Sequence, residues 1–396
     1  MSLNNTPAAE RVHIGIFGRR NAGKSSLINA ITGQNLAIVS DVQGTTTDPV
    51  FKTMELLPLG PVIIIDTPGL DDTGELGALR VEKGRQILNK TDIAVLVVDA
   101  VMGLSPEDVS ILTRIQEKKI PYVIVQNKSD TLRGGALPQG DDTLAVSALT
   151  GEGIHALKER IAHLLPDEKK QVPLVADLLC PGDFVLLVIP IDKSAPKGRL
   201  ILPQQQVIRD ALEVGATAMM VRESELSDTL AQMGKAPRLV VTDSQVFKSV
   251  SAMVPPEIPL TSFSILFARY KGDLATCLDG LRGLSDLQNG DTILISEGCT
   301  HHRQCEDIGT VKVPRWIREY TGAAIDFKFT SGVEFPEDLS PYKLVVHCGA
   351  CTLNTREVHH RMAVARAQGI PFTNYGILIS HINGIVKRCV APLGML

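Results

Sequence analysis

Aromatic side chains are scarce: one Trp, five Tyr and ten Phe make up 4% of the 396 residues, which leaves little for the stacking platforms of an RNA-reading surface. Neither sign of charge dominates, with 40 basic against 44 acidic side chains, so nothing draws the whole chain toward phosphate backbones and nucleic acid is not an expected partner. No apolar run reaches the about 20 residues that cross a bilayer, so no membrane association is expected. Met1 to Arg11 carries no apolar signal stretch, and the expectation is a cytoplasmic, unanchored protein. Seven cysteines, at 180, 277, 299, 305, 348, 351 and 389, are too few and too scattered for a disulfide framework. No internal repeat or low-complexity tract stands out.

What is present is length and apolar content enough for two or three domains. Short β-branched runs at Val12 to Phe17, Val62 to Ile65, Ile93 to Val98 and Tyr122 to Val125 alternate with amphipathic stretches, the pattern of buried parallel strands in a doubly wound α/β domain. The charged, proline-bracketed stretch from Pro166 to Pro173 reads as a linker. Beyond it, strands are expected at 184–191, 217–221 and 239–241, then at 292–296, 324–329 and 343–347, with a helix over 354–368 in the last segment. The middle segment carries no chemical motif and reads as an association surface. Its basic turn, Ala195 to Arg199, is a solvated loop more readily than an anion site.

Gly18-Arg19-Arg20-Asn21-Ala22-Gly23-Lys24-Ser25 fits G-x-x-x-x-G-K-[ST], placed after a strand and opening a helix. Such a loop turns backbone N–H groups toward a β-phosphate, so Gly18, Asn21, Ala22, Gly23, Lys24, Ser25 and Ser26 form the expected phosphate site. Lys24 reaches the β- and γ-phosphates and Ser25 ligates magnesium. Asp66-Thr67-Pro68-Gly69 follows a strand, so Asp66 orients the magnesium through water and the Gly69 N–H senses the γ-phosphate. Asn127-Lys128-Ser129-Asp130 selects guanine: the Asp130 carboxylate accepts from N1–H and the 2-amino group, a pair that adenine lacks, while the Lys128 stem covers the ring. Ser147-Ala148 supplies backbone to guanine O6. Thr46, in Gln43-Gly44-Thr45-Thr46-Thr47-Asp48, is the expected switch ligand to magnesium. Lys24, Thr46, Asp66 and Gly69 are thus the candidate hydrolytic residues of a GTPase. Leu70 stands where many GTPases place a water-orienting glutamine. Asp71, Asp72, Glu75 and Glu82 offer carboxylates for that task, without a choice among them.

Cys299-Thr300-His301 and His347-Cys348-Gly349-Ala350-Cys351 give C-x-H…H-C-x-x-C, each group just after an expected strand. In a parallel sheet both groups converge at the carboxyl-end crevice. A closed Cys3His zinc site is one reading. A [4Fe–4S] cluster on Cys299, Cys348 and Cys351 is preferred, because three thiolates on four irons leave one iron with an exchangeable ligand. Glu306, His301, His347, Cys305 or water could fill that place, and Glu306 is slightly favoured as a displaceable carboxylate. His302 is a further potential ligand outside the expected motif, and Cys180, Cys277 and Cys389 read as core residues.

Residues 12 to 165 resemble the group of GTPases that includes the tRNA-modification and ribosome-assembly GTPases, whose loops read G-x-x-N-x-G-K-S with G-T-T-x-D downstream. In potassium-activated members the loop asparagine, here Asn21, helps hold the cation with backbone around Ser40 to Thr45. With Leu70 in the glutamine's place, the expectation is a potassium-stimulated GTPase. The full chain, with Glu297-Gly298-Cys299-Thr300-His301 and Thr373-Asn374-Tyr375-Gly376, is similar to the [FeFe]-hydrogenase maturation GTPases. That resemblance implies an α/β architecture of a doubly wound P-loop GTPase domain (1–168) followed by two smaller α/β domains, for dimerisation (169–265) and for cluster binding (266–396). It implies GTP, Mg2+, a [4Fe–4S] cluster and K+ as ligands, and a homodimer. It also implies a scaffold that receives a two-iron precursor from two radical-SAM maturases and delivers it to apo-[FeFe]-hydrogenase. The alternative is a ribosome- or tRNA-associated GTPase with a C-terminal zinc or RNA-binding module.

Overall fold

A computed structural model describes residues 6–33, 49–67, 75–132, 140, 142–165, 172–191, 200–299 and 307–395, with backbone alone for 75–82. The chain divides into two units, Met1–Lys169 and Lys170–Leu396.

The first unit holds strands β1 (Val12–Phe17), β2 (Val50–Leu56), β3 (Gly60–Asp66), β4 (Ile93–Asp99), β5 (Tyr122–Asn127) and β6 (Thr143–Ala145) and helices α1 (Lys24–Thr32), α2 (Glu75–Lys90), α3 (Pro106–Glu117) and α4 (Ile154–Ala162). Its sheet order is β2-β3-β1-β4-β5-β6, parallel except for β2, which runs antiparallel to β3. Central strand β4, Ile-Ala-Val-Leu-Val-Val-Asp, is buried at every position, as a strand covered on both faces must be. Strand β2 was not expected: Val-Phe-Lys-Thr-Met-Glu-Leu mixes charged and apolar residues because it lies at the sheet's edge with most of its side chains outward. Helix α3 begins on a reciprocal cap, Ser105 Oγ accepting from the Asp108 N–H and Asp108 from the Ser105 N–H.

The second unit contains two four-stranded parallel sheets. One, ordered β10-β9-β7-β8, is built from β7 (Phe184–Val188), β8 (Thr217–Val221), β9 (Leu239–Thr242) and β10 (Leu260–Ser262). The other, ordered β12-β11-β13-β14, is built from β11 (Thr292–Glu297), β12 (Asp326–Ser331), β13 (Leu344–His347) and β14 (Phe372–Asn374). Helices α5 (Leu202–Glu213), α6 (Leu226–Gln232) and α7 (Phe247–Met253) accompany the first sheet, and α9 (Leu274–Asp279), α10 (Arg282–Ser285), α11 (Val313–Thr321), α12 (Thr355–Ala367), α13 (Tyr375–Ile382) and α14 (Val386–Val390) the second. Both carboxyl-side strands missing from the sequence reading, β10 and β14, are three residues long, too short to show a period.

Between the sheets lies α8 (Phe263–Lys271), capped by Ser262 Oγ accepting from the Ile265 N–H. Its Phe263, Leu266 and Phe267 enter the core under β7 and β9, while Ile265 and Ala268 enter the core under β11 and β13. One helix therefore buries opposite faces in two cores, and the domain boundary expected at 265/266 falls inside it. The chain's end ties the sheets a second time: the Arg388 guanidinium on α14 donates to the carbonyls of Ser251, Val254, Pro255 and Ile258 at 2.6–3.3 Å.

Helix α13 crosses α8 at Gly376, where a Cβ would stand 2.8 Å from the Ser264 Cβ and 3.1 Å from the Ile265 nitrogen. Gly376→Ala is expected to destabilise the second unit by about 1–3 kcal/mol through overpacking, read as a lowered midpoint in thermal denaturation followed by circular dichroism. An unchanged midpoint would mean that the two helices do not meet so closely.

Candidate functional sites

The first site forms where β1, β3 and β5 end. Gly18 (φ 137°), Asn21 (φ 61°) and Gly23 (φ 89°) all take positive φ, which curls the loop back on itself before α1. A Cβ on Gly18 would lie 2.2 Å from the Val97 carbonyl oxygen, so only glycine fits there. Lys24 Nζ donates to the carbonyls of Gly18 (2.8 Å) and Arg19 (2.9 Å), holding the loop around a space shaped for an anion. Ser25 Oγ donates to Asp66 Oδ2 at 2.7 Å. Asp66 is 7% exposed and its Oδ1 is buried with no hydrogen-bond partner among the described residues. Burial pushes the Asp66 carboxyl up, opposed by the Ser25 hydroxyl and by the charges of Lys24 and Lys52. A buried carboxylate with one oxygen unused beside a serine hydroxyl suits a hard divalent cation.

Asn127 bonds two loops with its side-chain amide: its Nδ2 donates to the Ala22 carbonyl (3.0 Å) and its Oδ1 accepts from the Ala148 N–H (3.0 Å). It thereby clamps the phosphate loop to the Ser147–Ala148 turn. Lys128, at φ 65°, donates to Asp99 Oδ2 at 2.9 Å. Against the cost of burial, that bond and the N–H groups of Val101 and Met102 hold the Asp99 carboxyl below its usual range. Ser147 Oγ donates to Asp130. Gly23, Ser26, Asn127, Lys128, Asp130 and Ala148 line a cavity of about 700 Å³. Asp99 and Lys52 were not anticipated, since a strand-end Asp and an edge-strand Lys form no motif by themselves. Thr46, Gly69, Leu70, Asp71 and Asp72, and the side chains of Glu75 and Glu82, lie outside the described residues.

The second site forms where β11 and β13 end side by side, Ser296 level with His347. Cys299 follows β11 by two residues and Cys348 follows β13 directly. The Gly298 N–H (3.1 Å) and Ala350 N–H (3.4 Å) both point at Cys348 Sγ, and Thr352 Oγ1 closes the turn on the Gly298 carbonyl at 2.8 Å. Burial pushes the Cys299 thiol up to about 12, and the neighbouring Cys348 and Cys351 add to that. Burial and Cys351 push Cys348 up to about 11. Cys351 is raised by burial and drawn back by the Lys271 ammonium. Thiols buried in this way are disfavoured as bare thiolates and suited to a bound cationic group.

His347 does not complete such a set, a correction to the sequence reading. Its ring is buried, stacked on Phe372, with Nδ1 2.9 Å from the Cys348 carbonyl and Nε2 3.2 Å from the Arg361 guanidinium. Both nitrogens are thus occupied, and burial followed by the Arg361 charge lowers its pKa to about 3. Arg361, 0% exposed, also donates to Glu357, Ser296 Oγ and the Gly332 carbonyl. Among the described residues, Cys299, Cys348 and Cys351 included, no three His, Cys, Asp or Glu side chains are gathered closely enough to hold a single metal ion. His301, His302, Cys305 and Glu306 lie outside the described residues. Buried Glu297 accepts from Tyr375 Oη at 3.2 Å beside the cysteines, so two flanking residues of the sequence motifs meet there. No described helix is long and apolar enough to cross a membrane.

Residues 13–128 match the family model of the 50S ribosome-binding GTPases. Among curated proteins, the chain is 36% identical over 160 residues to the tRNA modification GTPase MnmE of Desulforamulus reducens, covering 39% of this chain and 34% of that one. It is 38% identical over 160 residues to the same enzyme of Chromobacterium violaceum, covering 39% and 35%. The chain thus spans about a third of the length of these relatives. A solved structure of Era in complex with MgGDPNP and nucleotides of 16S ribosomal RNA is similar at 22% identity and a TM-score of 0.36, over 53% of this chain and 91% of that one. The first unit is a P-loop GTPase domain. Residues 174–272 match the hydrogen maturase F dimerization domain, in agreement with an association role for the middle segment, and residues 275–392 match the hydrogen maturase F tetramerization domain. Those two matches run consecutively behind the GTPase domain and together cover more than half of the sequence, so the chain belongs to the hydrogen maturase F family.

Proposed function

We propose that this chain is a GTP-hydrolysing scaffold and carrier for the two-iron subcluster precursor of [FeFe]-hydrogenase, with a [4Fe–4S] site on Cys299, Cys348 and Cys351. The placement of Cys299 and Cys348 just beyond the adjacent ends of β11 and β13, with Cys351 in the turn that follows, in a chain that also carries a P-loop GTPase domain, is the observation that supports the reading. In this reading the partners are apo-[FeFe]-hydrogenase, two radical-SAM maturases and a second copy of the chain joined through residues 174–272. Its place is the cytoplasm. When bound, such a cluster supplies one iron with an exchangeable ligand, at which a precursor can attach and later leave. Glu306 or His301 is the proposed fourth side chain.

The chain's own residues have separable tasks. At the nucleotide site Lys24, now bonded to two loop carbonyls, would hold β- and γ-phosphate oxygens, and Ser25 and Thr46 would be the side-chain ligands of magnesium. Asp66 would hold magnesium-bound water with the oxygen that lacks a partner among the described residues, and the Gly69 N–H would sense the γ-phosphate. Asp130 accepts from the guanine edge, oriented by Ser147. Asn21, in the phosphate loop, would help hold potassium, which would supply the positive charge that an arginine finger otherwise gives, Leu70 standing where many GTPases carry a water-orienting glutamine. At the second site the Gly298 and Ala350 N–H groups stabilise the Cys348 thiolate and fix its direction. The GTPase acts on the cysteine site only through conformational change, because no phosphate chemistry at one site can reach the other directly.

Lys24→Ala is expected to lower GTP hydrolysis at least about a hundredfold while leaving the iron content of reconstituted protein unchanged. Loss of iron in that variant would show that the two sites are not independent. Hydrolysis rates are expected to be higher in potassium chloride than in sodium chloride, and equal rates would remove the role assigned to Asn21. The central experiment is anaerobic reconstitution with iron and sulfide, followed by visible absorption and EPR of wild type and Cys348→Ala. A charge-transfer band with a reducible [4Fe–4S] signal, lost in the variant, is the expected result. A colourless protein holding stoichiometric zinc would instead favour the RNA-associated alternative.

A further inference from the structure

Lysine is rarely buried completely unless its ammonium is well partnered, yet Lys271, the last residue of α8, is 1% exposed. Its Nζ lies beneath the cysteine turn and donates to the carbonyls of Leu353 (2.7 Å), Cys351 (3.1 Å) and Ala350 (3.4 Å). Those three acceptors match the three N–H bonds of an ammonium group. They also flank the one strained place in the turn, since Ala350 sits at φ 56°, a conformation that a residue with a Cβ seldom takes. Strain of that kind persists where neighbouring contacts over-determine it, and Lys271 bonds the carbonyls on Ala350 itself and on the residue after it. These three carbonyls carry no formal charge, and the ammonium lies near enough to Cys351 to draw its thiol down against burial. The Phe267 ring, 5.5 Å from Nζ on the preceding turn of the same helix, lines the other side.

We propose that Lys271 is the positioning residue of the cysteine site: it fixes the turn that presents Cys348 and Cys351 and sets a permanent positive charge beside the group they hold. This inference rests on the reading that Cys299, Cys348 and Cys351 bind an iron–sulfur cluster. The charge arrives from outside the cysteine-bearing sheet. Lys271 belongs to the helix whose Phe263, Leu266 and Phe267 fill the core under β7 and β9, in the segment matched to the dimerization domain. The cysteine turn therefore takes both its shape and part of its electrostatics from the neighbouring module, and a displacement of α8 alters both together. A positive charge close to a thiolate-bound cluster favours the reduced, more negative state, so its removal moves the reduction potential downward.

Three substitutions in the full-length chain separate shape from charge. Lys271→Gln keeps N–H donors without charge, Lys271→Arg keeps charge, and Lys271→Met keeps neither. Each protein is reconstituted anaerobically with ferrous iron and sulfide, then assayed for iron per chain, thermal midpoint, and reduction potential by EPR during dithionite titration. The expected pattern has Lys271→Gln folded and loaded with iron like the wild type, but at a potential at least 59 mV more negative, a tenfold change in the one-electron equilibrium. Lys271→Arg stays within that interval of the wild type, and Lys271→Met holds less than half of the wild-type iron. Wild-type potentials in both neutral variants would overturn the inference, as would an arginine variant shifted as far as the glutamine one. A glutamine variant that loses its fold or its iron also overturns it, leaving Lys271 a structural staple only. A wild-type protein that binds no iron would instead defeat the cluster reading itself, before any variant is compared.

Discussion

Parallel strand pairing constrains everything else in this chain. In a parallel sheet every connection must cross back over the face, so each strand's carboxyl end opens into a loop on the same edge. The carboxyl ends of β1, β3, β5 and β6 consequently lie along one edge, although residues 17 and 147 are far apart in sequence. The same rule places the turns after β11 and β13 side by side, with Ser296 level with His347 and the Cys348 N–H donating to the Ser296 carbonyl at 3.0 Å. Two different chemistries thus rest on one geometric solution.

The two sites hold their polar groups in different ways. At the nucleotide site the buried groups bond one another in exchangeable pairs, Lys24 with loop carbonyls and Ser25 with Asp66, which phosphate and a cation can replace at little reorganisation cost. At the cysteine site the supports are fixed: the Arg361, Glu357, Ser296 and His347 network is buried and internally bonded, and the buried Lys271 ammonium donates to three carbonyls of the cysteine turn. Fixed supports suit a site that must present ligands at constant spacing. Exchangeable pairs suit one that passes through bound and unbound states.

Helix α8 explains why the second unit resists division. A helix ordinarily buries one stripe and exposes the other, but α8 has apolar residues on both sides and is consumed by two cores. Arg388 adds a second tie, satisfying four carbonyls near α7 from the end of the chain. Two sheets that read as separate α/β segments therefore behave as one compact body.

By itself the sequence determined the strand grammar and the P-loop GTPase domain, and it placed Cys299 and Cys348 just beyond two neighbouring strands. Those features are encoded locally: a buried strand announces itself by a β-branched run, a phosphate loop by its glycines, and a ligand turn by close cysteine spacing. The edge strand β2 and the three-residue strands β10 and β14 were not legible, because an exposed edge tolerates charge and three residues carry no period. Only the tertiary structure decided that His347 turns inward to Arg361, that Asn127 clamps two loops, that Asp99 holds Lys128, and that α8 lies across the expected boundary. It alone brought Lys271 to residues 79 to 82 positions further along the chain. No local signal marks such a lysine, since what makes it special is the burial of its charge among carbonyls supplied by another sheet.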